Sequence, residues 1–241
     1  MGAYGFVLLI GVLAGAISGV IGTGSSIMLL PVLVFTFGPK QAVPIMAVAA
    51  IMANFSRVVA WRREIDWKAF AAYSVTGIPA AAIGARTLWV LPVRLIDIGL
   101  GLFFLAMIPA KRWLDAKNRR IRLWQLSVAG GVIGFLTGIV LSTGPLSVPA
   151  FSSYGLMKGA FLSTEAASSL ALYVSKAVTF RELGALPGEV IAQGLIVGSS
   201  LMLGTFAAKR IVQRMSLSSF RYVLDLLLLG SGVSMLWAAF H

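Results

Sequence analysis

The sequence predicts an all-α polytopic membrane protein of two inverted repeats, each a re-entrant helical hairpin plus three transmembrane helices. Three observations carry this expectation. Hydrophobic residues make up 59% of the 241 and charged residues only 12%, with a mean hydropathy of +0.92; a soluble domain carries about twice that charged share. A glycine pattern occurs twice, Gly11, Gly15 and Gly19 returning 119 residues later as Gly130, Gly134 and Gly138. Finally, the basic residues divide unevenly between the two sides that such a topology defines.

Apolar segments run roughly over 4–21, 26–37, 41–61, 67–85 and 93–110 in the first half, and 124–141, 146–156, 160–180, 189–207 and 218–240 in the second. The first has no Lys or Arg before its hydrophobic run, unlike a secretory leader, and reads as a permanent span. It ends in the loop Gly22-Thr23-Gly24-Ser25-Ser26, and its counterpart ends in Ser142-Thr143-Gly144-Pro145. The segments that follow, 26–37 and 146–156, hold Pro31 and Pro149 and are expected to be broken there. At 1.5 Å per residue they reach about 15–18 Å, whereas a crossing needs about 20 residues. They read as half-helices that enter and return, and such backbone is tolerated only inside protein or beside a polar cavity. The remaining three segments of each half are long enough to cross.

Three crossings plus a hairpin is an odd number, as is five, so the second half lies upside down relative to the first. Placing the 57–68 turn in the cytoplasm assigns 15 basic residues inside and 5 outside, with both termini outside. This fits the positive-inside rule. The domains are then a first repeat over 1–112, a cytoplasmic linker over 113–123 touching anionic headgroups, and a second repeat over 124–241. The location is the inner or plasma membrane of the cell.

The composition also excludes chemistries. There is no cysteine, and the single histidine is His241. Thiolate, iron–sulfur and histidine acid–base chemistry are therefore set aside, and neither a cofactor nor a metal is expected. The net charge of +12 is explained by topogenic loops, so no nucleic-acid partner follows from it. The glycine ladders read as helix-packing devices, able to act between protomers as easily as within one, which leaves room for a homodimer.

The candidate site lies in the hairpin loops and the third helices. A helix N-terminus offers unpaired N–H groups and partial positive charge, glycine allows close approach, and hydroxyls add donors. Gly22, Thr23, Gly24, Ser25 and Ser26 open one half-helix; Thr143, Gly144 and Ser147 open the other. In the third helices Ser56-Arg57 matches Ser175-Lys176, with Trp61 matching Phe180, again 119 residues apart. Two cations placed a turn inside their helices would draw an anion inward from opposite faces, or would snorkel to the interface. Asn54 and Tyr173, a turn or less away, add polar lining. Asp97 with Arg94 and Asp225 with Arg221 have the spacing of intrahelical ion pairs. Glu165 lies instead within an apolar run, where a buried carboxyl can carry protons, although its counterpart in the first repeat is Met46 or Ala47.

The stretch Gly15–Pro31, the Ala42-Val43 helix start, the Arg62–Trp67 turn and the Gly77–Gly84 helix resemble the TauE/SafE sulfite exporter family over nearly the whole chain, more weakly in the second copy. The usual glycine run is here Gly24-Ser25-Ser26, and the usual Thr-Ser pair after Ala-Val is replaced around Ile45-Met46. The resemblance implies a carrier of small organosulfur or sulfur oxyanions, in some members of carboxylates, working as an exporter. The residues themselves point to a secondary transporter moving a small anion by alternating access. A channel-like anion conductor and a non-transporting membrane scaffold or assembly factor are the alternatives, and an enzyme is not expected.

Overall fold

The computed structural model of the protein describes residues 2–21, 25–92, 120–140 and 144–212, with isolated positions between 94 and 109 and between 229 and 236. The loops 22–24 and 141–143, the linker over 111–119 and most of the last segment of each half lie outside the described residues, as do Asp97, Arg221 and Asp225. Within them are eight α-helices and no strand. These are α1 (Gly2–Ile21), α2 (Ser25–Phe37), α3 (Pro39–Trp61), α4 (Trp67–Val90), α5 (Leu123–Val140), α6 (Gly144–Tyr154), α7 (Lys158–Glu182) and α8 (Gly188–Val212). A single 3-10 turn, Arg62–Glu64, joins α3 to α4.

The 119-residue repeat extends from glycines to whole elements. Adding 119 to the bounds of α1–α4 gives 121–140, 144–156, 158–180 and 186–209, against the observed 123–140, 144–154, 158–182 and 188–212. Five helices, α1, α3, α4, α7 and α8, are 20–25 residues long. At 1.5 Å per residue they measure about 30–37 Å, the thickness of a bilayer's hydrocarbon core or slightly more. By contrast α2 has 13 residues and α6 has 11, about half that reach. Judged by length and composition alone, the stretches Lys40–Val59 and Gly188–Thr205 are long and apolar enough to cross a membrane.

Pro31 and Pro149 do not break their segments, contrary to the sequence reading: α2 and α6 continue through both. A proline removes one N–H from the ladder and bends the helix, and neighbouring helices can compensate for that loss inside a packed bundle. Gly38, the one residue between α2 and α3, has φ +75°, a left-handed conformation that side chains disfavour. Asp66 caps α4, its carboxylate accepting from the Lys68 and Ala69 N–H groups at 3.0 Å each. At the start of α5, the Gln125 side chain reaches back to the Arg122 N–H at 2.8 Å, the return half of a capping box.

The two halves interlock. The most extensive helix contacts are α4 with α5 and α1 with α8, and each joins one half to the other. Next come α3 with α8, α3 with α7 and α4 with α7. Advancing by one repeat turns α1–α8 into α5–α4 and α3–α8 into α7–α4, while α3–α7 maps onto itself. That reciprocity is what a two-fold relation between the halves produces, and it puts α3 and α7 at the centre.

The glycine ladders make the interlock possible. A Cβ built on Gly15 would lie 2.0 Å from the Leu201 carbonyl oxygen, one on Gly134 would lie 2.4 Å from that of Gly77, and Gly84 and Gly138 meet in the same way. Thr76 Oγ1 donates to the Ser127 carbonyl at 2.5 Å, and Thr205 Oγ1 to that of Gly15 at 3.0 Å. Close backbone approach sealed by hydroxyls is how helices associate where water does not drive them together. Among the described residues, Gly11 and Gly15 of one ladder and Gly130, Gly134 and Gly138 of the other pack within the one chain.

The surface is apolar and the interior is partly polar. Phe6, Leu9 and Leu13 on α1, and Trp124, Val128 and Val132 on α5, form exposed stripes at helical spacing among the described residues. Among the described residues sixteen polar or charged side chains are buried, including Arg57, Glu165 and Lys176. In water this arrangement would expose a large adhesive surface; in lipid it is the stable one.

Adjacent glycines test this packing. Gly130→Ala would place a methyl 2.2 Å from the Tyr73 carbonyl oxygen, whereas Gly131→Ala would meet only the Thr76 side chain at 3.6 Å. Thermal unfolding in detergent should show the first destabilised by about 1–3 kcal/mol, and the second unchanged or stabilised by up to about 1 kcal/mol. Equal losses would contradict the interlock.

Candidate functional site

The site is assembled where the short helices meet the central pair. Helix α3 carries Asn54 and Arg57 in its last two turns; α7 carries Glu165 in its second turn and Ser169 and Tyr173 at successive i+4 positions, so all three share one face. Arg57 Nη1 donates to Glu165 Oε2 at 3.1 Å, forming a buried ion pair between residues 108 apart in sequence. Arg57 is 7% and Glu165 2% exposed. Arg57 Nη2 also donates to Asn54 Oδ1, while Asn54 Nδ2 is held by the Ala50 carbonyl at 2.8 Å.

The other Glu165 oxygen, Oε1, accepts from Ser147 Oγ at 3.1 Å and from Ser169 Oγ at 2.8 Å. Ser147 comes from the first turns of α6. From α2, Ser26 hydrogen-bonds to the Tyr173 side chain, which also interacts electrostatically with both Glu165 and Arg57. One polar cluster therefore contains residues near the N-termini of both short helices and residues of both central helices. The α3–α4 turn is tied to it by the Asp66 N–H, which donates to Thr164 Oγ1 at 2.9 Å.

Lys176 occupies a different place on α7. It is fully buried, its Nζ donating to the Thr137 carbonyl of α5 at 2.8 Å and lying 5.4 Å from the centre of the Phe180 ring. Among the described residues it forms no ion pair. Neither cation snorkels to the surface, since both are enclosed by protein.

The structure brings together Ser26, Asn54, Arg57, Ser147, Glu165 and Tyr173 from the residues expected to form the site. Ser25 is buried beside Ser26 at the start of α2, and Gly144 opens α6. Gly22, Thr23, Gly24 and Thr143 lie outside the described residues. Ser56 turns back on its own helix, bonding the Ala53 carbonyl at 2.8 Å. Ser175 faces away from the cluster, donating to the Ile78 carbonyl at 2.9 Å and lining an open apolar groove of about 720 Å³ between α3, α4 and α7. The Arg86–Glu182 pair at the edge of that groove is exposed and 3.4 Å long, and such pairs contribute little.

Sequence reasoning missed Ser169, whose i+4 spacing from Glu165 was a readable signal. Thr137 had one as well, because it repeats Ser18 at 119 residues and both are buried. Ser74 and Ser168 were also missed. Both are buried, and among the described residues their hydroxyls have no hydrogen-bond partner.

Fold and site together define a helical membrane protein that keeps charge and hydroxyl groups in its interior and apolar side chains outside. Within a membrane, polar and ionisable groups placed this way are expensive and mark functional sites. The chain belongs to the sulfite exporter TauE/SafE family, whose model matches residues 7–235 of the 241. It is accordingly a transmembrane protein of an anion-transport family. No curated protein matches it.

Removing one partner of a buried ion pair strands the other, at a typical loss of about 3–5 kcal/mol. Arg57→Ala should destabilise the purified protein on that scale, and adding Glu165→Gln should recover most of the loss. An Arg57→Ala variant as stable as the parent would show that the pair is not buried as described.

Proposed function

We propose that the protein is a secondary transporter that moves a small sulfur oxyanion, sulfite or an organosulfur relative, across the cell membrane by alternating access. The observation that carries this reading is the convergence of two half-length helices on a buried, cation-bearing helix pair. Ser26 of α2 meets Tyr173, and Ser147 of α6 meets the Glu165–Arg57 pair. N–H groups at the starts of short helices, hydroxyl donors and guanidinium are complementary to an oxyanion. Short segments at matching places in two halves mark substrate sites in transporters.

In this reading the halves are inverted in the membrane, α2 and α6 are re-entrant, and both termini lie outside. Arg57 serves an anion arriving from one face and Lys176 one from the other, with Ser25, Ser26, Asn54, Ser147 and Tyr173 lining the route. Family membership supports sulfite as substrate and export as direction. The α1–α8 and α4–α5 interlocks would move as rigid units about the central α3–α7 contact.

Purified protein in liposomes loaded with radiolabelled sulfite should release it, and unlabelled sulfite on the far side should accelerate release. Flux without such trans-acceleration would indicate a channel, and no flux of sulfite, sulfate, acetate or chloride by intact protein would sink the proposal. Lys176→Met, which keeps length and removes charge, should weaken apparent affinity roughly 10- to 150-fold, the worth of a charge-assisted hydrogen bond.

A further inference from the structure

The Glu165 carboxylate already occupies the kind of place an oxyanion would take. One oxygen faces a guanidinium at 3.1 Å, and the other faces two serine hydroxyls at 3.1 and 2.8 Å. Three donors from three helices, Arg57 and Ser147 buried and Ser169 partly buried, form an oxyanion cradle whose occupant is tethered to the chain. The scaffold does not need that occupant in order to bury a cation. Advancing by one repeat carries Arg57 to Lys176, while Glu165 corresponds to Met46. Lys176 is buried with a backbone carbonyl as its polar partner, and Met46 is a fully buried apolar residue. One half thus carries a resident carboxylate where its twin has a thioether.

Charge balance then restricts which states are accessible. With Glu165 ionised and the cradle otherwise empty, the Arg57 subsite is neutral. A monoanion entering while Glu165 stays ionised would leave a net negative charge in an apolar interior, which is strongly unfavourable. If a proton first binds a Glu165 oxygen, the carboxyl loses its charge, Arg57 is released, and a monoanion restores neutrality. Ser168, one turn from Glu165 and with a buried hydroxyl that has no partner among the described residues, is a further donor on the same helix. The neutral states are therefore the empty one and the one holding both proton and anion.

We propose that the protein is a proton–anion symporter in which Glu165 is the proton site, its carboxylate holding the Arg57–Ser147–Ser169 subsite until protonation yields it to a monovalent oxyanion. This rests on the anion-transport reading above. The charged and titratable groups facing Glu165 are Arg57 from α3, Tyr73 from α4 and Tyr173 from α7 itself. Helix α5 contains no charged residue, and α6 contains only Tyr154, at its far end. The turn after α3 places Glu64 against Gly159, toward the start of α7. Lys176 lies 11 residues further along α7, about 16 Å away at helical rise.

The test uses the full chain in liposomes with radiolabelled methanesulfonate, a monoanion that does not itself titrate between pH 5 and 8, with the membrane potential clamped. An inward proton gradient of one pH unit should drive accumulation to about tenfold, as one proton per anion requires, and should acidify the lumen. Glu165→Gln should equilibrate the anion without concentrating it. Should that variant fold poorly, the parent alone decides. Its methanesulfonate dissociation constant, from thermal shift, should rise with pH, by up to about tenfold per unit where a proton is taken up with each anion. A constant independent of pH, accumulation that persists in Glu165→Gln, or anion flux indifferent to the proton gradient would overturn the coupling. Absence of all anion flux would instead overturn the transport reading on which it rests.

Discussion

A charge can remain inside an apolar fold only where its field is met by an opposite charge or by oriented dipoles, and the centre of this protein is arranged around that requirement. Arg57 and Glu165 meet it for each other across the two halves, and Asn54, Ser147 and Ser169 bind what remains. A buried pair is poor evidence of stabilisation, because desolvating both ions offsets most of their attraction. Apolar residues of similar volume would hold α3 against α7 at least as well. Glu165 is the one acid inside a described helix away from its ends, and within a membrane such a residue points to function.

The rest of the architecture serves that centre. If long helices carry hydroxyls and charges inward, their outer faces must suit lipid, and the stripes on α1 and α5 do. Without a hydrophobic drive between helices, contact must come from shape, which the glycine ladders supply. Close α1–α8 and α4–α5 contact leaves α3 and α7 free of that duty, and their polar faces can be used for binding. The short helices fit the same logic. Only 13 and 11 residues long, α2 and α6 place donors at their first turns among the central residues rather than at the surface.

Much of this was legible in the chain. The repeat was readable because its offset is constant: the same 119 residues relate the glycines and the cations and, to within three residues, all four pairs of helix bounds. The short elements were readable because length is counted directly against bilayer thickness. The effect of Pro31 and Pro149 was not, since a proline's local penalty is settled by packing that sequence does not display. Nor was the Arg57–Glu165 pair. Repeat symmetry pointed away from it, Met46 standing at the matching position, and no periodicity links residues 108 apart on separate helices. Ser175 shows the complementary error: it shares a repeat with Ser56, yet the helix turns it toward α4 while its neighbour Lys176 faces inward.

The inequality of the two halves has a defined physical meaning. Repeats related by a two-fold would present the same site to both faces if their side chains matched, but here one copy has guanidinium with a carboxylate, and the other has ammonium and, at the position matching the carboxylate, a methionine. In the proposed transporter such asymmetry would change how tightly each face holds an anion and how fast it lets go. It would not change where such transport stops, because the end point depends only on the gradients of whatever moves together. If anion and proton travel as one neutral load, the membrane potential drops out and the pH difference alone decides how far the anion is concentrated. Export would then be favoured wherever the outside is the more alkaline side or the anion is abundant within, and the same site would run inward when those gradients reverse.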